Sequence, residues 1–346
     1  MTTRLLVFNG TAARSEPQPY GLETMEGLGY ELVVPPPGRV PGKVRDVVHH
    51  RWGVQVGQPG LRAARGADVV LAYLEPNIAY PALASRVPGS PLARRPLVGI
   101  FCWAAEELRT ADKVRRRRLQ RMLAACDVVG FFSSNQADVL VAHGVPRARL
   151  ALLPFGIDTT ALATAAGRER DIDVLSVGWD RGRDYPTLLR ALAGTGTRAQ
   201  VVAPPDRFAD QVLPGEVTVL GTVPHAEYRD LLARARVVVV PTHDLAYPTG
   251  QTVAMEAAAA GCAVVVSRTA AMEDYFTDTV TAEMPEVGDA DGLRARVRAL
   301  LDDPGRRGAL AARSTAHALE HFDHVHLWRA LDRELRARRL AGPPLS

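Results

Sequence analysis

The chain has 346 residues, 47% hydrophobic and 23% charged, with 42 Lys and Arg against 38 Asp and Glu and a net charge of +4; this is an ordinary globular composition, long enough for two cores. A mild basic excess spread along the chain argues against a nucleic-acid binder, and no apolar run approaches the roughly 20 residues that span a bilayer. Cys102, Cys126 and Cys262 show no CxxC spacing, which argues against a disulfide framework or zinc site and for buried, reduced thiols. The opening MTTRLLVFNG runs into a strand-like segment without an export signal, so a cytoplasmic protein is expected.

Short β-rich apolar runs then alternate with helical patterns, the signature of parallel sheets covered by helices on both faces. The first series comprises residues 4–9, 30–35, 67–74, 96–101, 126–132 and 151–155. Between its later members, Leu108, Ala111, Leu119, Met122 and Leu123 trace one helical stripe, with Arg115 to Arg118 on the other side. That basic stretch reads as a solvated helix face, or else as a surface for anionic lipid or an acidic partner. Gly156 and Asp158 supply a turn and a cap, and a polar, Ala-rich connector follows. The second series comprises residues 171–178, 198–204, 217–222, 235–241 and 261–267. The sequence predicts an α/β protein of two Rossmann-like, doubly wound domains, 1–158 and 159–318, with a closing helix and tail over 319–346. Ligands of such sheets bind at the carboxyl ends of the strands, so the site is expected between the domains. The Pro-rich pieces 35–42 and 341–346 read as a loop and a tail.

Two constellations carry chemistry. In SVGWDRGRDYPTLLRAL (176–192) a strand ends at Gly178, an Arg181-Gly182-Arg183 turn follows, and Asp184 begins or caps a helix. Two guanidiniums at the carboxyl end of a strand suit a diphosphate; surface arginines are the ordinary alternative in an Arg-rich chain, and the place after a strand beside Gly178 weighs against it. In AYPTGQTVAMEAAAAG, residues Gly250, Gln251, Thr252 and Val253 place backbone amides at the start of a helix over 252–260 and aim them at an anion. Glu256 lies one turn further, on the side of Thr252. Its tiny neighbours Ala257 to Ala260 imply a buried helix, where a carboxylate needs a partner such as a ribose diol.

These motifs, with RMLAACDVVGFFSSNQADVLVAHGVPRARLALLPFGIDTTAL before them and GDADGLRARVRALLDDPGRRGAL after, resemble the family-4 type of retaining glycosyltransferases of the GT-B fold, glycosyl transferases group 1. The likeness runs from about residue 119 to 312. It implies a sugar transferred from a nucleotide-diphosphate sugar to a hydroxyl acceptor with retention of configuration. Arg183 occupies the place of the basic residue that neutralises the donor diphosphate, with Arg181 in support. Gly250, Gln251, Thr252 and Val253 match the turn that meets the distal phosphate. Glu256 matches the Glu that holds the ribose hydroxyls, and Gly178 ends the strand beside them. His225 and Tyr228 fall where a loop flanks the nucleobase, or else lie on the surface. UDP or GDP is the expected carrier, with no obligatory metal since no Asp-x-Asp motif occurs.

The sequence departs from the resemblance in two places. Pro248 stands where a further Glu is usual, with Asp244 as substitute, which keeps a noncatalytic nucleotide-sugar-binding protein in view. The Gly-Gly pair after the first strand is absent, Asn9-Gly10 and a very short helix standing instead. Trp103, Glu106 and Glu107 are candidate acceptor contacts, or the two glutamates cap a helix. His317, His321 and His324 share a spacing of i, i+4 and i+7, and a polar helix face explains them more simply than a metal. Phe322 and Trp328 suit a final segment packing back on the first domain. Abundant Arg and Ala against two lysines, Lys43 and Lys113, resembles a high-GC bacterial source, where the acceptor would be a specialised metabolite or an envelope or storage glycan.

Overall fold

The computed structural model describes residues 2–9, 19–35, 61–163 and 169–342. The first loop from Gly10, most of the Pro-rich loop 35–42, part of the connector and the last four residues lie outside them. The chain divides into two compact units, Met1–Phe155 with His324–Ser346, and Gly156–Asp323. The expected boundaries at 158/159 and 318/319 thus fall a few residues from the divisions at 155/156 and 323/324.

The first unit holds a six-stranded parallel sheet ordered β2-β1-β3-β4-β5-β6. Its strands are β1 Thr3–Phe8, β2 Tyr30–Val33, β3 Val69–Tyr73, β4 Leu97–Ile100, β5 Val128–Phe131 and β6 Leu150–Leu152. Strands such as VVLAY and VVGF are buried along their whole length, because helices cover both faces and leave no side for polar residues. Leu6, Val70, Phe101, Leu119 and Leu123 belong to the core beneath one layer of helices. The expected single helix over 108–123 is two, Ala104–Thr110 and Lys113–Ala125. Asp112 divides them: its carboxylate accepts from the Val114 and Arg115 amides at 2.8 Å each and starts the second helix.

A buried carboxylate that the sequence reading passed over caps the first of these helices. Glu75 Oε1 accepts from the amides of Cys102, Trp103 and Ala104 at 3.0, 2.7 and 2.8 Å. Its Oε2 is buried without a partner among the described residues. Glu106 and Glu107, expected to meet an acceptor, are engaged locally: Glu106 is buried and pairs with Arg109 at 3.6 Å, and Glu107 pairs with Arg115 at 2.6 Å. The helix Val325–Ala337 belongs to this unit and is fixed by Trp328, whose Nε1 donates to the Tyr20 carbonyl at 2.6 Å. Tyr30 donates to Asp332 at 2.8 Å on the same helix.

The second unit carries a five-stranded parallel sheet ordered β11-β10-β7-β8-β9, from β7 Ile172–Val177, β8 Ala199–Val202, β9 Val217–Val219, β10 Ala235–Val240 and β11 Ala263–Val266. The strand order reverses between β7 and β10, and the crevice of a doubly wound sheet opens at the carboxyl ends of such a pair. Phe322 stays in this unit, stacked edge-on against Phe276 with ring centroids 5.3 Å apart; it does not join Trp328. The three histidines are divided too, since the helix Pro304–His321 ends before His324. His317 Nε2 lies 3.0 Å from the Tyr275 carbonyl, and no group of three metal-ligating side chains forms among the described residues. No helix among them is long and apolar enough to cross a membrane.

Burial pushes the Glu75 carboxyl up to about 7 from 4.5, against the lowering effect of its amide donors. A raised native value means that stability is full below 4.5 and is lost as pH rises through about 7. Glu75→Gln keeps the acceptor oxygen and removes the titration. Denaturant midpoints at several pH values should therefore show a wild-type decline on the order of 3 kcal/mol across that window, and a flatter profile for the variant.

Candidate functional site

Both chemical motifs lie at the reversal point of the second sheet. The turn of residues 178–184 follows β7, and the turn of residues 241–250 follows β10. Backbone bonds join them: the Asp184 amide donates to the Pro241 carbonyl at 3.0 Å and the His243 amide to the Gly182 carbonyl at 2.8 Å. Asp180 completes the tie. Its Oδ1 accepts from the Gly182 amide at 2.7 Å, the Tyr247 hydroxyl at 2.7 Å and the Thr249 hydroxyl at 2.8 Å. One carboxylate oxygen thus holds its own turn and the neighbouring one in register. Asp184 caps the helix Tyr185–Leu192, as expected, by accepting from the Thr187 amide at 3.1 Å.

Arg183 projects into this frame and is only 7% exposed. Its Nε and Nη1 are buried with no hydrogen-bond partner among the described residues, and burial pulls its pKa below the ordinary value, with Tyr185, Asp180, Tyr228 and Tyr247 opposing. A guanidinium cannot shed its charge by deprotonation, so it stands desolvated and under-satisfied. Glycines make the space. A Cβ at Gly178 would come within 1.8 Å of Arg183 Nε, and one at Gly250 within 2.0 Å of Nη1. Gly250 also adopts φ +86°, a conformation open to glycine at little cost. Tyr185 donates to the Gly178 carbonyl at 2.7 Å and fixes that end of the cradle.

The helix after Gly250 spans Gln251–Ala259, one residue earlier than expected. Of the four amides assigned to an anion, that of Gln251 is already spent on the Pro248 carbonyl at 3.2 Å. The amides of Gly250, Thr252 and Val253 have no acceptor among the described residues, as the first turn of a helix leaves them. They carry the positive end of the helix dipole beside Arg183. The Gln251 side chain is itself buried, its Oε1 without a partner among the described residues. Glu256 lies on the next turn of the helix, largely desolvated, and burial raises its carboxyl above the usual range. The Tyr228 hydroxyl donates to its Oε2.

Some expected members lie apart. Arg181 is exposed and interacts with Tyr247 rather than closing on Arg183. Asp244 is exposed, with no hydrogen bond or ion pair to a described residue, and Pro248 is buried in the turn. His225 is exposed, whereas Tyr228 is drawn in by Glu256. In the first unit, Arg115 is committed to Glu107 and Arg116 donates to the Ala111 carbonyl at 3.0 Å, so Arg115 to Arg118 are not a uniform free face. Sequence reasoning missed Asp180 and the pairing of Tyr228 with Glu256; a hint for Asp180 was its place midway between Gly178 and Gly182 just after a strand.

Comparison with known proteins follows this geometry. Residues 165–333 match the family described as Glycosyl transferase-like. Glycogen synthase of Mycobacterium tuberculosis is 30% identical over 204 residues, covering 52% of this chain and 47% of that protein. D-inositol 3-phosphate glycosyltransferase 1 of Catenulispora acidiphila is 26% identical over 306 residues, covering 81% and 69%. The chain spans about half the length of the first curated relatives it matches. Among solved structures, Anabaena HepE in complex with UDP-glucose superposes with a TM-score of 0.69 at 15% identity, over 96% of this chain and 99% of that one. Sucrose-phosphate synthase from Thermosynechococcus elongatus gives 0.68 at 16%, over 98% and 99%.

The Asp180 tie is testable without a ligand. Asp180→Ala leaves three donors without their acceptor and should cost about 2–3 kcal/mol of stability, with Tyr247→Phe costing about 1 kcal/mol, both read from urea denaturation. A cost for Asp180→Ala no larger than that of an exposed alanine substitution would remove the tie.

Proposed function

We infer that this protein transfers a sugar from a nucleotide-diphosphate sugar to a hydroxyl acceptor with retention of configuration, a reading supported by the match of residues 165–333 to the Glycosyl transferase-like family and by two parallel sheets like those of the GT-B fold. The observation that carries the reading is the buried Arg183 guanidinium, two of its nitrogens without a partner among the described residues, beside three helix N-terminal amides with no acceptor among them. Such an arrangement fits a diphosphate, whose departing charge it would meet without reorganising. Glu256 stands one turn away to take ribose hydroxyls. Arg181, at the mouth of the same turn, would add long-range charge.

In the reaction we propose, the bond from the anomeric carbon to the phosphate oxygen breaks as the acceptor oxygen approaches from the same face. The acceptor's proton passes to the departing phosphate oxygen, so the protein need supply no nucleophile. Arg183 and the amides of Gly250, Thr252 and Val253 balance the charge that develops on the leaving diphosphate; no divalent metal is assigned a part. UDP or GDP is the proposed carrier, and a small-molecule or glycan hydroxyl the acceptor, in a cytoplasmic bacterial enzyme. Pro248, in the place where the resemblance expects a Glu, favours a second reading, a noncatalytic nucleotide-sugar-binding protein.

Release of nucleoside diphosphate from UDP- and GDP-sugars, with and without EDTA, separates the two. The enzyme should turn over in both conditions, give a product whose anomeric configuration by NMR matches the donor, and lose about 10²-fold or more of kcat/KM in Arg183→Ala. Binding with no release across a broad panel of acceptors would favour the second reading.

A further inference from the structure

The helix Lys113–Ala125 carries six cations and no acid, on a chain whose net charge is only +4. Other long helices interleave the signs, as Ala290–Asp302 does with Asp291 and Asp302, and Val325–Ala337 with Asp332 and Glu334. Leu119 and Leu123 turn one face of the basic helix into the core. Val114, Arg117 and Arg121, spaced i, i+3 and i+7, lie on the opposite face and are exposed. Exposed Lys113 stands one turn before Arg117. Arg115 and Arg116 are committed to Glu107 and the Ala111 carbonyl, but the side chains of Lys113, Arg117 and Arg121 make no hydrogen bond or ion pair with a described residue. Like charges in an i, i+4 row repel, so this row works against its own helix until negative charge faces it.

The helix Glu75–Ala84 packs against this one and continues the surface. Arg86, in the turn that follows it, donates from Nη2 to the Arg121 carbonyl at 2.9 Å. Leu83 and Val87 lie in the same turn, the Arg86 amide donating to the Leu83 carbonyl and the Val87 amide to that of Ala84, at 3.2 Å each. Val114 and Leu83 are 74% and 70% exposed, the two most exposed large apolar side chains among the described residues of the first unit, and Val87 is 51% exposed. One exposed apolar side chain is ordinary. Three of them among uncompensated cations have the composition of a surface that meets a bilayer, where cations hold anionic headgroups and apolar side chains enter the layer beneath. A plain polyanion would use the cations alone. We propose that the face formed by Leu83, Arg86, Val87, Val114, Arg117 and Arg121 is a peripheral membrane surface that binds anionic lipid.

Cosedimentation of the full chain with phosphatidylcholine vesicles, made with and without phosphatidylglycerol, tests it. No substrate is needed, so failure here leaves the proposed function untouched. The wild type should bind only the vesicles that contain phosphatidylglycerol and be released by high salt. The pair Arg117→Glu and Arg121→Glu should weaken that binding about tenfold or more. The pair Leu83→Ser and Val114→Ser should weaken it about fivefold, each variant being shown folded by its melting curve. No binding to either vesicle, equal binding to both, or binding indifferent to the glutamate pair overturns the proposal. Binding that the serine pair leaves intact overturns it as well, since the face would then be a surface for polyanions in general.

Discussion

A guanidinium buried without enough acceptors is the constraint around which the second unit's site is organised. Arg183 cannot lose its proton, and its Nε and Nη1 find no partner among the described residues. A fold tolerates such a group only where the surroundings hold it firmly and something else satisfies it. The surroundings are specific. Two glycines clear the space, Tyr185 fixes one wall through the Gly178 carbonyl, and Asp180 binds the two turns to each other. Asp180 does so with an oxygen already given to three donors, and its negative charge still favours the cation nearby.

Topology explains why these residues meet. β7 and β10 are neighbours at the reversal of strand order, although 57 residues separate Val177 from Ala235. Each strand delivers its following turn to the same place, the first bringing cationic side chains and the second a helix N-terminus. Electrostatics of one sign therefore accumulate from two sources, a fixed side-chain charge and backbone dipoles, with no lysine involved. Glu256 supplies the opposite sign one turn further along, and the Tyr228 hydroxyl donates to it.

The strands were legible in the sequence because buried parallel strands are written as unbroken apolar runs, such as ARVVVV before the second turn. Gly178, Arg183, Gly250 and Glu256 were legible because each sits at a fixed offset from a strand end or helix start. What escaped depends on contacts between distant residues. Glu75 caps a helix that begins 29 residues later, and the hydrogen bond of Tyr228 to Glu256 spans 28 residues. Asp180 reads as a turn residue until its partners at 247 and 249 are known. The break at Ala111–Asp112 was legible and was passed over: Asp112 is a strong N-cap residue, and the apolar spacing continued across it only by coincidence. The amide of Gln251 was counted as free because a sequence does not reveal that the turn before the helix folds back onto it.

On the proposed function, Arg183 and the N-terminus of the helix Gln251–Ala259 form one diphosphate site. A crystal structure with UDP or GDP bound tests it most directly. The account predicts a distal phosphate oxygen within about 2.7–3.2 Å of an Arg183 nitrogen and of the Thr252 or Val253 amide. A diphosphate bound elsewhere, with Arg183 untouched, would contradict it.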